Sequence, residues 1–179
     1  MNAPSPPADP EIAAIVESTS QLLRSLSQRI VSDDSESEHD MPPPVPIASS
    51  KLHSVVEGLC EKGDFRNALP VAMRLSMQQP LDCRAAYLLA TCLQRLNQPA
   101  LALGIFGSCT QIEGDRPTPG PLFRAGECLA AMGQKEEAIS ALETAIDLAR
   151  SDAEHAEIQG LAEQKAGALR LELQLPLST

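Results

Sequence analysis

Three histidines, five cysteines and 24 carboxylates are the groups in this chain that could do chemistry. Covalent catalysis needs a Ser or Cys nucleophile beside a base, and a metal site needs ligands whose spacing lets them converge. The histidines stand at 39, 53 and 155, and the cysteines at 60, 83, 92, 109 and 128. No two histidines have the i, i+4 spacing that places a ligand pair on one helical face, and there is no CxxC. Glu127-Cys128 sets a carboxylate beside a thiol, but no histidine is near it in sequence. GxSxG, GxxxxGK[ST], HExxH and GxGxxG are all missing. The residues therefore point away from an enzyme and imply neither a metal nor a cofactor. Scattered cysteines, odd in number, read as reduced and mostly buried thiols.

Charge narrows the partners. The formal charge is -10, and residues 1–50 carry eight acidic against two basic side chains. An acidic chain without a basic block is a poor ligand for phosphate backbones or anionic lipid, so neither nucleic acid nor membrane insertion is expected. No apolar run reaches the ~20 residues of a membrane span. The opening MNAPSPPADPE lacks the basic and apolar regions of a secretory signal.

Whatever the chain does must be positioned by helices. Residues 51–150 carry one pattern three times. Gly63 is followed five residues later by Ala68; 34 residues on stand Asn97 and Ala102, and 36 further on Gly133 and Ala138. Each copy reads as helix, tight turn, helix, and this period indicates tetratricopeptide repeats. Gly and Asn suit a helix end in the left-handed conformation, and the small residue lets the two helices close up. Leu52, Val55 and Leu59, then Ala86, Leu89 and Leu93, then Leu122, Ala125 and Leu129 recur at three- or four-residue steps and are read as core, with Leu129 buried. Helices are expected at about 51–62, 65–78, 83–96, 99–112, 121–132 and 135–149, with a kink or late start at Pro70. A hairpin cannot bury its own apolar face, so the copies must stack. The fold predicted is all-α: three repeats in a right-handed superhelical stack with flanking N- and C-terminal helices.

Residues 1–31 form an amphipathic helix opened by Asp9-Pro10. Ile12, Val16, Thr19, Leu23, Leu26 and Ile30 make a short 4-3-4-3-4 seam. It wants a partner, either its own repeats or the same helix of a second subunit; in the second case Val16, Leu23, Leu26 and Ile30 are the dimerisation residues of a homodimer. Residues 32–50, with five acids between Asp33 and Asp40 and then three prolines, read as an extended linker. Residues 151–179 supply a last helix, about Asp152 to Leu173, capping the stack, and a tail.

Two stretches are more specific. Asp82, Arg84, Cys92 and Gln94 give D-x-R followed by C-x-Q; Phe123, Ala125, Glu127, Cys128, Leu129 and Gly133 give an aromatic, A-x-E-C-L and a helix-ending Gly. In these places residues 51–150 resemble the class II, tetratricopeptide chaperones of type III secretion translocators. The resemblance implies a bacterial cytoplasmic chaperone that binds an extended N-terminal segment of translocator proteins in a concave groove and prevents aggregation before export. The other readings are an adaptor or chaperone for another secretion system or a pilus or needle subunit, and a general protein-protein scaffold. One stripe on the first helix of each repeat is offset from the core: His53, Glu57 and Cys60; Arg84, Tyr87, Thr91 and Gln94; Phe123, Glu127 and Ala130. The resemblance places the client there, with Tyr87 and Phe123 as anchor-pocket candidates and Arg84 orienting a carbonyl or carboxylate. The competing reading makes Tyr87 and Phe123 core residues and Glu127 a solvated charge.

Overall fold

A computed structural model describes residues 6–32 and 47–174. Regular structure among them is entirely helical: α1 (Pro10–Ser32), α2 (Ser49–Glu61), α3 (Phe65–Gln78), α4 (Cys83–Arg95), α5 (Pro99–Glu113), α6 (Pro119–Ala131), α7 (Lys135–Ala149), a 3-10 turn (Ala153–His155) and α8 (Ala156–Gln174). Two compact units result, residues 1–80 with α1 to α3 and residues 81–179 with α4 to α8. The acidic and proline-rich part of the expected linker, residues 33–46, lies outside the described residues.

The repeat shows most directly in the turns. Gly63, Asn97 and Gly133 have φ of 73°, 61° and 79°. In each turn that residue's N–H donates to a carbonyl of the preceding helix, Cys60, Gln94 or Ala130, at 3.0, 3.1 and 3.0 Å. The next N–H, of Asp64, Gln98 or Gln134, reaches back to Leu59, Leu93 or Leu129 at 2.9, 2.9 and 3.0 Å. This is the double closure that satisfies orphan carbonyls at a helix end when one residue takes the left-handed conformation. Ala68, Ala102 and Ala138, five residues on, are fully buried.

In the first unit α3 packs against both α2 and α1. Leu52, Val55, Val56 and Leu59 of α2, and Ala68, Val71, Ala72 and Leu75 of α3, form its interior. Asp64 caps α3, accepting from the Asn67 N–H at 3.3 Å and from Asn67 Nδ2 at 2.8 Å. This cap fixes the start ahead of Pro70, so α3 does not begin late: the proline sits inside the helix. Asp9 does the same for α1, accepting from the N–H groups of Glu11 and Ile12. Ile15, Val16 and Thr19 of α1 are buried. Of the two partners open to the stripe, Val16 meets its own unit and not an intersubunit seam: α1 lies on α3 and that turn of the stripe is already covered. Leu23 is half-buried, and the side chains of Leu26 and Ile30 fall outside the described residues.

In the second unit α5 joins the α4–α5 hairpin to α6, and α8 packs on α7 and α6. Its interior has two parts. Ala90, Ala102, Phe106, Ala125 and Cys128 form one, edged by Tyr87 and Leu93. Phe123, Leu142, Ala145, Ile146, Ala162 and Ala166 form the other, edged by Leu122, Ile158 and Leu169. The expected core set is thus displaced on two helices. On α4 the fully buried residues are Ala85, Ala90 and Cys92, while Ala86, Leu89 and Leu93 are half-buried. On α6 Ala125 and Cys128 carry the stripe toward α5; Leu129, in the last turn, is half-buried and not buried as expected. Small residues occupy the closest approaches and the leucines pack around them. α6 also starts earlier than expected, at Pro119, because Pro119 and Pro121 fall in the first turn, where missing N–H groups cost nothing.

Candidate functional site

The offset stripe falls on α2 in the first unit and on α4 and α6 in the second. On α2, His53, Glu57 and Cys60 are half-buried beside the buried leucine and valine face, and His53 Nε2 lies 3.2 Å from Gln79 Oε1. On α4, Asp82 caps the helix by accepting from the Arg84 N–H at 2.9 Å, which sets the stripe's rotation. Arg84 is exposed; Tyr87, Thr91 and Gln94 are half-buried. The Thr91 hydroxyl donates to the Tyr87 carbonyl at 2.8 Å, so it is engaged by its own helix.

Tyr87 has one face in the interior and one edge outside. Its ring meets Phe106 edge-on, centroids 5.4 Å apart at 65°. Its hydroxyl accepts from Arg124 Nε at 3.3 Å. The outer edge borders an open cleft of about 440 Å³ lined also by Cys83, Arg84, Pro121, His155 and Ile158. Gly120 borders the same edge: a β-carbon there would stand 3.7 Å from the ring, at ordinary contact distance.

Phe123 is different. It is 6 % exposed and packs with Leu142, Ala145, Ile146 and the two buried alanines of α8. Its reading as an anchor-pocket residue is corrected: α8 presents small side chains here, approaches closely and covers the ring. Glu127 is not a solvated charge either. Its side chain is 16 % exposed, between Arg124 Nη1 at 2.8 Å and Lys165 Nζ at 2.7 Å, and it accepts from Gln94 Nε2 at 3.2 Å. Burial alone would raise the carboxyl pKa; the hydrogen bonds from Lys165 and Arg124 outweigh it and hold it below the usual value. Arg124 is pushed up in turn, because its bonds to Tyr87 and Glu127 outweigh its own desolvation. Ala130 is half-buried.

A polar line therefore runs from Tyr87 through Arg124 and Glu127 to Gln94 on one side and Lys165 on the other. Arg124 was legible as an i, i+3 partner of Glu127. Lys165 lies 38 residues further on, and nothing local announces it. The arrangement offers an apolar ring edge at an open cleft, with charged and polar groups beside it. It has no activated nucleophile: Cys128 is fully buried and its thiol is pushed up to about 11, first by burial and then by Glu127. Among the described residues no group of three His, Cys, Asp or Glu side chains could hold a metal ion, and no helix is long and apolar enough to cross a membrane.

Comparison with known proteins puts this geometry in context. Residues 61–145 match the family described as anaphase-promoting complex, cyclosome, subunit 3. No curated protein sequence matches the chain. Among solved structures, the Yersinia enterocolitica type III secretion translocator chaperone SycD is similar over 73% of this chain and 90% of its own, with 25% identity and a TM-score of 0.67. SycD in complex with a peptide of the translocator YopD is similar over 70% of this chain and 94% of its own, with 26% identity and a TM-score of 0.65. PcrH from Pseudomonas aeruginosa shares the fold at 21% identity, over 73% of this chain and 99% of its own, TM-score 0.65. The chain is similar in fold and sequence to type III secretion translocator chaperones, as its repeat motifs suggested.

Proposed function

We propose, from that similarity, that this chain is a type III secretion chaperone of the bacterial cytoplasm that holds an extended N-terminal segment of a translocator protein. The observation that carries the reading is the likeness to SycD bound to a translocator peptide, at 26% identity and over almost all of that chain. The contact residues proposed are His53, Glu57 and Cys60 on α2 and Arg84, Tyr87, Thr91, Gln94 and Glu127 on α4 and α6. Tyr87 serves as the apolar anchor site, since its outer ring edge borders the cleft. Phe123 lies in the α6–α7–α8 interior and is not among the proposed contacts. Holding requires no chemical step: binding lowers the free concentration of a client whose membrane-seeking segments would aggregate.

A homodimer is part of the proposal, with SycD itself described in an alternative dimer. Of the α1 seam, Leu23, Leu26 and Ile30 remain the residues proposed for it. The matched family of an unrelated assembly supports a second reading, a scaffold that joins folded proteins. Isothermal titration with overlapping peptides from the N-terminal region of a co-encoded translocator separates the two. A peptide that binds, and binds more weakly to Tyr87→Ala, supports the chaperone. Failure of every peptide, with capture of a folded partner in pull-down, supports the scaffold.

A further inference from the structure

Cys83 and Cys109 bring two free thiols together where the first turn of α4 meets α5. Cys109 Sγ donates to the Cys83 main-chain carbonyl at 3.7 Å, which makes the two residues direct neighbours. Cys83 Sγ in turn donates to Glu113 Oε1 at 3.4 Å. Access is unequal. Cys109 is fully buried, whereas Cys83 is half-buried and lines the cleft beside Tyr87. A small reagent entering the cleft meets Cys83 first, while the Cys109 thiol lies buried against the Cys83 main chain.

We propose that Cys83 and Cys109 form an oxidisable dithiol site, which a small hydroperoxide entering the cleft converts to an intrachain disulfide. The Cys83 thiolate attacks the terminal peroxide oxygen, the O–O bond breaks, and Cys83 becomes a sulfenic acid while the leaving oxygen takes a proton and departs as alcohol or water. Cys109 sulfur then attacks the Cys83 sulfur, the S–O bond breaks, and the hydroxyl leaves as water with the Cys109 proton. Two thiols lose two electrons and two protons; the hydroperoxide is reduced. Closure brings the two sulfurs to the ~2.05 Å of a disulfide, from a start in which Cys109 Sγ already lies against the Cys83 main chain.

Glu113 is the positioning residue. Its carboxylate accepts from the Cys83 thiol and also from Thr118, through the N–H at 2.8 Å and the hydroxyl at 2.6 Å. Burial first, and the Cys109 and Glu113 interactions after it, keep the Cys83 thiol protonated well above its ordinary value. The resting site is therefore slow to oxidise, and the chain tolerates brief exposure. The disulfide would take Cys83 Sγ away from Glu113 and fasten the start of α4 to α5.

The test uses the full chain, treated with hydrogen peroxide, then denatured, alkylated and mapped by peptide mass. Two of the five thiols should be lost to alkylation, with a Cys83–Cys109 cross-link that dithiothreitol reverses. Tyr87 is the one tyrosine and the chain has no tryptophan, so intrinsic fluorescence reads the cleft directly and should fall as the neighbouring disulfide forms. Cys109→Ser should stop at a sulfenic acid on Cys83, trapped by dimedone. Glu113→Gln should oxidise several-fold faster, which a purely structural Glu113 would not explain. The proposal is overturned if five thiols still alkylate, if Cys83 pairs with another cysteine or another chain, or if Cys83 proceeds to the sulfinic acid with Cys109 untouched.

Discussion

Replacing Gly126 by alanine should destabilise the second unit, although alanine is the better helix former. Gly126 lies inside α6 facing α7, where an added β-carbon would stand 2.8 Å from Leu142 Cγ, 3.0 Å from its Cδ2 and 3.3 Å from the Ala138 carbonyl oxygen. Carbon atoms pack best at about 3.5–4.0 Å, so the overlap with Leu142 is near ~1 Å. Leu142 is fully buried among Phe123, Ala145 and Ile146, and Ala138 is main chain, so neither yields cheaply. Overpacking of this kind costs about 1–3 kcal/mol, against about 1 kcal/mol returned by helix propensity. The net loss is therefore about 1 kcal/mol. Gly104 and Gly107 of α5 are the internal controls, since nothing lies within 4 Å of a β-carbon at either. Alanine there should stabilise by about 1 kcal/mol, because the propensity gain is unopposed. All three sites lie in one unit, so urea midpoints are directly comparable. A Gly126→Ala variant that gains stability like Gly104→Ala would refute the close approach of α6 and α7.

Tyr87→Ala should weaken binding of a translocator peptide by about 1 kcal/mol or more. It should also lose about 1 kcal/mol of stability with the Phe106 contact, so Tyr87→Phe, which keeps the ring, isolates the hydroxyl in the same titration. Glu127 sets an acid limb. Its folded pKa is below the ordinary 4.5, so the stability it contributes is present above that value and is lost as pH falls through the folded one. Glu127→Gln should cost about 2 kcal/mol at neutral pH and flatten that limb in thermal melts between neutrality and about pH 3; parallel curves for the two proteins would contradict the ion-pair assignment. Phe123→Ala should lower the melting temperature sharply, through a loss of about 3–5 kcal/mol. A selective loss of peptide affinity with an intact melt would restore it to the groove. Leu23→Glu should convert a dimer to a monomer in light scattering, while an unchanged mass would remove α1 from the dimer interface.

The parts of the fold legible in the sequence are those where one residue answers to one local demand. Gly63, Asn97 and Gly133 were readable because a helix end in the left-handed conformation excludes most other side chains, and Ala68, Ala102 and Ala138 because two helices of a hairpin meet there. The core was less legible. A helical period defines a face, but which residue in that face is fully covered depends on the neighbouring helix. Hence Cys92 is buried and Leu93 only half so. Phe123 was ambiguous for the same reason: its cover, α8, arrives from far along the chain with two alanines that carry no signal of their own. Lys165 completes the Glu127 ion pairs from that helix, and sequence distance hid it. At Val16 the apolar stripe was legible while its partner stayed open, since a seam looks alike whether it meets another subunit or α3.

The three turns close on main-chain atoms alone and ask only for a residue that accepts positive φ. They therefore behave as splice points. A hairpin cut out at one of them and grafted at another would keep its helical faces in phase, because main-chain hydrogen bonds close each joint; only after Gly63 does a flanking side chain, Asp64, add a cap to the next helix. A gene built this way can duplicate, lose or exchange hairpins by recombination without first redesigning what lies between them. The helices on either side are then free to drift with each new client, while the joints stay recognisable long after the rest of the text has been rewritten.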